Sequence, residues 1–173
     1  ADTLAALPRG VIGWGECWSW GDNENHIVRS VDSMYEIVVD LEAGRLYQAT
    51  TMLTWYANKA NAMLETRMQG EPVGNGAKDT FEYRVRLVSE NRNQLQTSHA
   101  AFQPFTVEAS GTYRLLFLAA SAYGSESVML TKSDASLPTP YVLVQDLGLA
   151  PEKTVQPNHT VILGAPKPQE QPQ

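Results

Sequence analysis

A chain of 173 residues with a net charge of −6 and no block of like charges longer than two suits one ordinary domain. It lacks the clustered Lys and Arg that phosphate contacts require, which argues against nucleic-acid binding. One cysteine, Cys17, excludes an intrachain disulfide, and no apolar run approaches the ~20 residues needed to cross a bilayer.

The chain opens on residues 1–10, read as an N-terminal arm. The arm has no basic region followed by an apolar one, so it is not a secretory signal, and synthesis in a cytoplasm is expected. Leu7-Pro8-Arg9-Gly10-Val11 reads as a turn. Trp14, Trp18 and Trp20 follow at even spacing, which places all three on one face of a strand. An exposed indole row suits a sugar surface, because aromatic faces stack on the apolar side of pyranose rings. The plainer alternative is a core or subunit contact, where Trp contributes most. Cys17 reads as a small buried apolar group.

Gly21-Asp22-Asn23 marks a turn. Tyr35, Ile37, Val39 and Leu41 then alternate with Glu36, Val38 and Asp40. After the turn at Glu42-Ala43-Gly44, residues 45–56 are rich in Thr, Tyr, Trp and Leu, which favour a strand. Trp55 and Tyr56 read as one core residue and one surface residue. Residues 58–68 fit a helix and a strand equally, and the strand is taken. Residues 70–78 read as the longest flexible loop. Phe81-Glu82-Tyr83-Arg84-Val85-Arg86-Leu87 alternates apolar and charged residues, the pattern of a strand with one wet face.

Turns are expected at 90–93, 109–111 and 123–125. Tyr113, Leu115, Phe117 and Ala119 share a face, while Leu116 and Leu118 make the opposite face apolar too, so this strand is expected to be either central or part of a subunit contact. The closing strand has Tyr141, Leu143 and Leu147 on one face and Val142, Val144 and Asp146 on the other. Leu116, Leu118, Val142 and Val144 therefore read as apolar surface beyond one core's needs. Residues 11–149 are expected to form the domain. Residues 150–173 form an extension with a short strand at 159–163 and a Pro/Gln tail, in which Pro166 and Pro168 favour extended polyproline geometry. Such a tail buries no core, so a neighbouring subunit is its expected partner. Eight to ten strands with turn punctuation predict an all-β fold, an antiparallel β-sandwich. A jelly roll is the first choice and an immunoglobulin-like topology the second.

Chemistry-bearing patterns are sparse. His26, His99 and His159 are isolated, without the short His/Cys spacing of zinc sites. Asp22-Asn23-Glu24-Asn25 lacks the spaced ligands of a calcium loop. No Gly-x-Ser-x-Gly elbow occurs, and neither Gly13-Trp14-Gly15 nor Gly74-Asn75-Gly76 has a strand-to-helix setting. Generic carboxylates discriminate nothing. Asn158-His159-Thr160 matches a glycosylation sequon. No enzyme, cofactor or metal is expected.

Leu7-Pro8-Arg9-Gly10-Val11, Leu41-Glu42-Ala43-Gly44-Arg45-Leu46-Tyr47 and Tyr141-Val142-Leu143-Val144-Gln145-Asp146-Leu147-Gly148 occur in this order and at this separation. Together they resemble the small β-sandwich proteins among the minor tail proteins of tailed phages that infect actinobacteria, mycobacteriophage-like phages among them. The resemblance covers residues 7–149. It implies a virion structural protein that self-associates, a trimer being favoured, and docks on other phage proteins. A host-glycan or receptor-binding module of the tail, and a capsid-decorating or collar protein, are the alternatives. The three tryptophans and the Pro/Gln extension are additions to the family pattern. The candidate contact residues are Trp14, Trp18, Trp20, Leu116, Leu118, Pro166 and Pro168.

Overall fold

The alternation at 81–87 folds as its period requires: Phe81, Tyr83, Val85 and Leu87 turn toward the core, and Glu82, Arg84 and Arg86 toward water. The computed structural model describes residues 3–16, 25–28, 31–122, 127–130 and 139–152. A one-turn helix α1 (Thr3–Ala6) precedes ten strands among them. These are β1 (Gly10–Glu16), β2 (Asn25–Val28), β3 (Val31–Leu41), β4 (Arg45–Ala57) and β5 (Met63–Gly74), then β6 (Phe81–Val88), β7 (Gln96–Ala101), β8 (Gly111–Ala122), β9 (Ser127–Leu130) and β10 (Tyr141–Leu149).

All pairings are antiparallel. One sheet runs β3-β8-β5-β6. In the other, β10 pairs with Arg45 to Met52 of β4, and β9 continues along the same edge from Thr54 to Ala57. β1 and β2 extend β10 and β9 in the same tandem manner, and β7 covers the opposite edge of β4. Taking each tandem pair as one interrupted strand gives two four-stranded layers, a jelly-roll-like β-sandwich. The expected fold class is the observed one.

The core lies between the layers. Tyr47, Ala49, Phe102, Phe105, Val142 and Val144 meet Val39, Leu41, Met68, Tyr113, Leu115 and Phe117, and a second cluster joins Leu53 and Trp55 to Leu64 and Ala119. Phe81 and Phe105 have ring centroids 4.9 Å apart. Full burial of such a side chain stabilises by roughly 1.5–3 kcal/mol. Along one side, β1 closes the sandwich over β3. Gly13 permits this, because a β-carbon there would lie 2.9 Å from Val39 Cγ1.

Three expectations change. Val142 and Val144 are not surplus surface: both are buried in the core, because β10 faces inward at its even positions. The reading of 58–68 as strand holds from Met63 onward. Before it the chain turns, with Asn61 at φ 56°. The expected loop at 70–78 is strand as far as Gly74, since β8 keeps pairing with β5 past Gly70, where β6 stops. Pro72 is tolerated there because β5 has a partner on one edge only, so its missing N–H disrupts no ladder on the open side.

The three quoted stretches, distant in sequence, meet in one place. Arg45 donates to Asp146 through Nε at 2.7 Å and Nη2 at 3.0 Å, and to the carbonyls of Ala5 and Leu7 at 2.6 and 2.7 Å. The Gly148 amide donates to Asp146 Oδ1 at 2.8 Å. Arg9 pairs with Glu42, and the Glu42 amide donates to Tyr47 Oη at 2.7 Å. Gly148, at φ +103°, lets the arm pass so closely that a β-carbon would sit 2.9 Å from the Ala6 carbonyl oxygen. These motifs build a clasp that fastens the N-terminal segment to β4 and β10.

Candidate functional site

The outer faces of the two sheets are chemically unlike. On the β3-β8-β5-β6 sheet the outward residues include Glu36, Asp40, Glu65, Arg67, Glu71, Glu82, Arg84, Arg86 and Arg114. Glu65 is their centre, nearly buried, with Arg67 Nε at 2.6 Å, Arg86 Nε at 3.3 Å and Arg84 Nη1 at 3.6 Å. Burial works to raise the Glu65 pKa. The hydrogen bonds from Arg67 and Arg86 and the nearby charges outweigh it and leave the carboxyl below its ordinary value. Arg84 pairs with Glu82 at 2.8 Å, and Arg114 with Glu71. This face is a satisfied ion-pair ladder suited to water.

Leu116 and Leu118 lie on that same face. Their register partners are Gln69 and Arg67 of β5 and, on the other side, Glu36 and Ser33 of β3. Both leucines are half-buried, and Leu116 borders a shallow depression of about 410 Å³ with Gln69, Glu71 and Glu82. β8 is an inner strand of its sheet, between β3 and β5, one of the two places expected of a strand apolar on both sides. The stems of neighbouring long polar side chains share the surface with them.

The outer face of the other sheet is nearly free of charge. Register places Trp14, Leu143, Thr50 and Ala101 in one row across four strands. The next row holds Glu16, Tyr141, Met52 and His99, and the row on the other side Val11, Gln145 and Gln48. Among the described residues of these rows Glu16 is the single carboxylate, and no Lys or Arg occurs. Trp14 is 60% exposed and Val11 51%. A β-bulge between Val11 and Gly13 turns Val11 to the same side as Trp14 and leaves Ile12 packed on the core. The rings of His99 and Tyr141 meet edge to face at 6.5 Å. Trp14 and Tyr141 occupy diagonal positions on adjacent strands, about 7–8 Å apart.

Of the candidate contact residues, the structure thus brings Trp14 to the neutral face and Leu116 and Leu118 to the charged one. Strand β1 ends at Glu16, and Trp18, Trp20, Pro166 and Pro168 lie outside the described residues, as does the expected strand at 159–163. Sequence reasoning missed Val11, Gln48, His99, Tyr141, Leu143 and Gln145 as one surface. Alternation does show that Tyr141 and Leu143 share a face; the register that sets them beside Trp14 is not visible in it. Among the described residues no three His, Cys, Asp or Glu are grouped to hold a metal ion.

No family model matches the chain, and no curated protein matches it. Solved structures similar to it include Eiger TNF from S. frugiperda, at 10% identity and TM-score 0.37, covering 69% of each chain. The infectious bursal disease virus VP2 subviral particle matches at 11% identity and TM-score 0.39, over 82% of this chain and 38% of that one. TmCBM61, solved in complex with beta-1,4-galactotriose, matches at 13% identity and TM-score 0.28, over 87% and 85%. This chain spans under two fifths of the VP2 chain's length. At such identities and scores these likenesses assign it neither a family nor a function.

Proposed function

We propose that this chain is a structural protein of a bacteriophage virion, a minor tail protein or a related decoration or collar component. It is assembled in the host cytoplasm and works by docking on copies of itself and on neighbouring virion proteins, with no catalysis. The contrast between the two outer faces carries the reading. In a chain of net charge −6, one sheet face is a solvated ion-pair ladder, while the other sets Val11, Trp14 and Leu143 among uncharged Gln and Thr, with Leu147 exposed farther along β10. Depletion of charge around exposed aromatic and aliphatic side chains is what the centre of a protein interface requires. The order and spacing of the three sequence stretches support the virion assignment.

Size-exclusion chromatography with light scattering tests it. The full chain is expected to run as an oligomer, a trimer being favoured, and Trp14→Glu with Leu147→Glu to shift it toward monomer with unchanged melting. A wild-type chain that stays monomeric at high micromolar concentration would overturn the reading.

A second reading is favoured by one observation, the exposed Trp14 ring flanked by Tyr141, His99, Gln48 and Gln145. The negative face of an aromatic ring attracts the polarised C–H groups of a pyranose, and flanking amides can satisfy its hydroxyls. In this reading the face recognises host envelope glycan. Affinity electrophoresis in neutral polysaccharide gels should show retardation that Trp14→Ala abolishes and Val38→Ala preserves. Equal mobility of all three proteins counts against it.

A further inference from the structure

We infer that Asn75 is a self-modification site: its side-chain amide is lost to attack by the Gly76 nitrogen, leaving aspartate or isoaspartate, and the fold holds this reaction back until the turn at the end of β5 opens. The inference does not rest on what either sheet face binds. Asn75 is the one asparagine of the chain followed by glycine, and both residues are exposed. With no β-carbon on Gly76, nothing on that residue shields its amide nitrogen. The reaction needs only water. The Gly76 nitrogen bonds to Asn75 Cγ, the Cγ–Nδ2 bond breaks, and ammonia leaves with the proton from Gly76. Water then opens the resulting succinimide ring at either carbonyl. One opening gives aspartate; the other gives isoaspartate, whose main chain runs through the former side chain.

The backbone prevents the attack while the turn is closed. The Ala77 amide donates to the Gly74 carbonyl at 3.2 Å, with Asn75 at φ 53° and Gly76 at φ 90°. These values belong to a type I′ turn, for which Asn-Gly is a preferred pair. The same turn sets ψ of its first central residue at about +30°. At that angle the Gly76 nitrogen stands nearly opposite the Asn75 β-carbon across the Cα–C bond. A five-membered ring needs the two eclipsed, so Asn75 must leave the turn before it can react.

The side chain and the loop are tied down as well. Asn75 Nδ2 donates to Thr112 Oγ1 at 2.8 Å, and Thr112 Oγ1 donates to Asp40 Oδ1 at 2.6 Å. Gly111 lets Ala77 pack so closely that a β-carbon there would lie 2.2 Å from the Ala77 nitrogen. Asp79 Oδ2 accepts from the amides of Glu108 and Ala109, both at 3.1 Å. The relay through Thr112 also decides what the product does. A carboxylate at position 75 is an acceptor only, and Thr112 has one hydroxyl proton, already given to Asp40. Two carboxylates then compete for it. Isoaspartate lengthens the main chain by one atom and cannot close a type I′ turn. Opening the turn thus commits the chain to a form with one more negative charge and a looser end to the β5–β8 ladder.

Peptide mapping by mass spectrometry, after incubation of the full chain at mildly alkaline pH, reads the reaction. In concentrated urea Asn75 should convert ahead of every other asparagine. In the folded chain its conversion should be at least about tenfold slower than in urea. Equal rates in the two conditions, or conversion in urea no faster than at the other asparagines, overturn the inference. The relay is read separately by urea titration. Asn75→Asp should raise the unfolding equilibrium constant about fivefold. In an Asp40→Asn background, where the hydroxyl proton is no longer claimed by a carboxylate, the same substitution should raise it less than about twofold. An equal penalty in both backgrounds overturns the competition at Thr112.

Discussion

Arg45 and Asp146 are separated by 101 positions and form a buried, bidentate ion pair whose remaining guanidinium donors hold the carbonyls of Ala5 and Leu7. Removing one partner strands the other charge, which is why such pairs are costly to break whatever their net contribution. Asp146→Ala is expected to lower unfolding free energy by about 3–5 kcal/mol in urea titration. A loss below ~1 kcal/mol would show that water reaches the pair. Burial pushes the Asp146 carboxyl up, but the bonds from Arg45 and the Gly148 amide prevail and its pKa is lowered. Asp79 is also lowered, chiefly by the Tyr113 hydroxyl donating at 2.6 Å and by the amides of Ala109 and Glu108. A lowered folded-state value adds stability that is complete above the unfolded value, 3.8 for Asp, and lost as pH falls through the folded one. Melting temperature should therefore hold steady above about pH 5 and fall below pH 3.8. In Asp146→Asn that acid fall should be smaller, by differential scanning calorimetry.

Strand β1 shows why period alone misjudges a face. Even spacing puts Trp14, Trp18 and Trp20 on one side of an ideal strand; Trp18 and Trp20 lie outside the described residues, and the bulge between Val11 and Gly13 brings Val11 to the face of Trp14. On β8 the opposite happened. Leu116 and Leu118 alternate correctly with the core set, and what surrounds them is decided by β5, which supplies Gln69 and Arg67. Trp14→Ala should change the unfolding free energy of the dissociated chain by under ~0.5 kcal/mol, since most of the ring is already wet. Trp55→Ala, at 0% exposure with Nε1 donating to Ser98 Oγ at 2.9 Å, should cost about 3–5 kcal/mol. Similar losses for the two variants would mean that Trp14 is covered within its own chain.

For the whole molecule, the neutral and charged faces predict different responses to salt. The association proposed for the face of Val11, Trp14 and Leu143 has few charges to screen, so light-scattering mass should persist in about 1 M NaCl, where the Debye length is ~3 Å. Dissociation under those conditions would transfer the interface to the Glu65 ladder of the other sheet.

The sequence by itself determined the class. Period-two alternation at 35–41, 81–87, 113–119 and 141–147, with turns between, leaves an all-β sandwich as the way to bury the apolar rows. It also marked the three stretches of the clasp, though not that Arg45 and Asp146 pair, because alternation is local and carries no partner across 101 residues. Only the tertiary structure decided that Val142 and Val144 are core, that Leu116 and Leu118 sit among charges, and that Trp14 belongs to a neutral platform. Whether an apolar row is covered depends on which strand lies beside it and what lies above it. Both are set by register and layer packing, which no single strand contains.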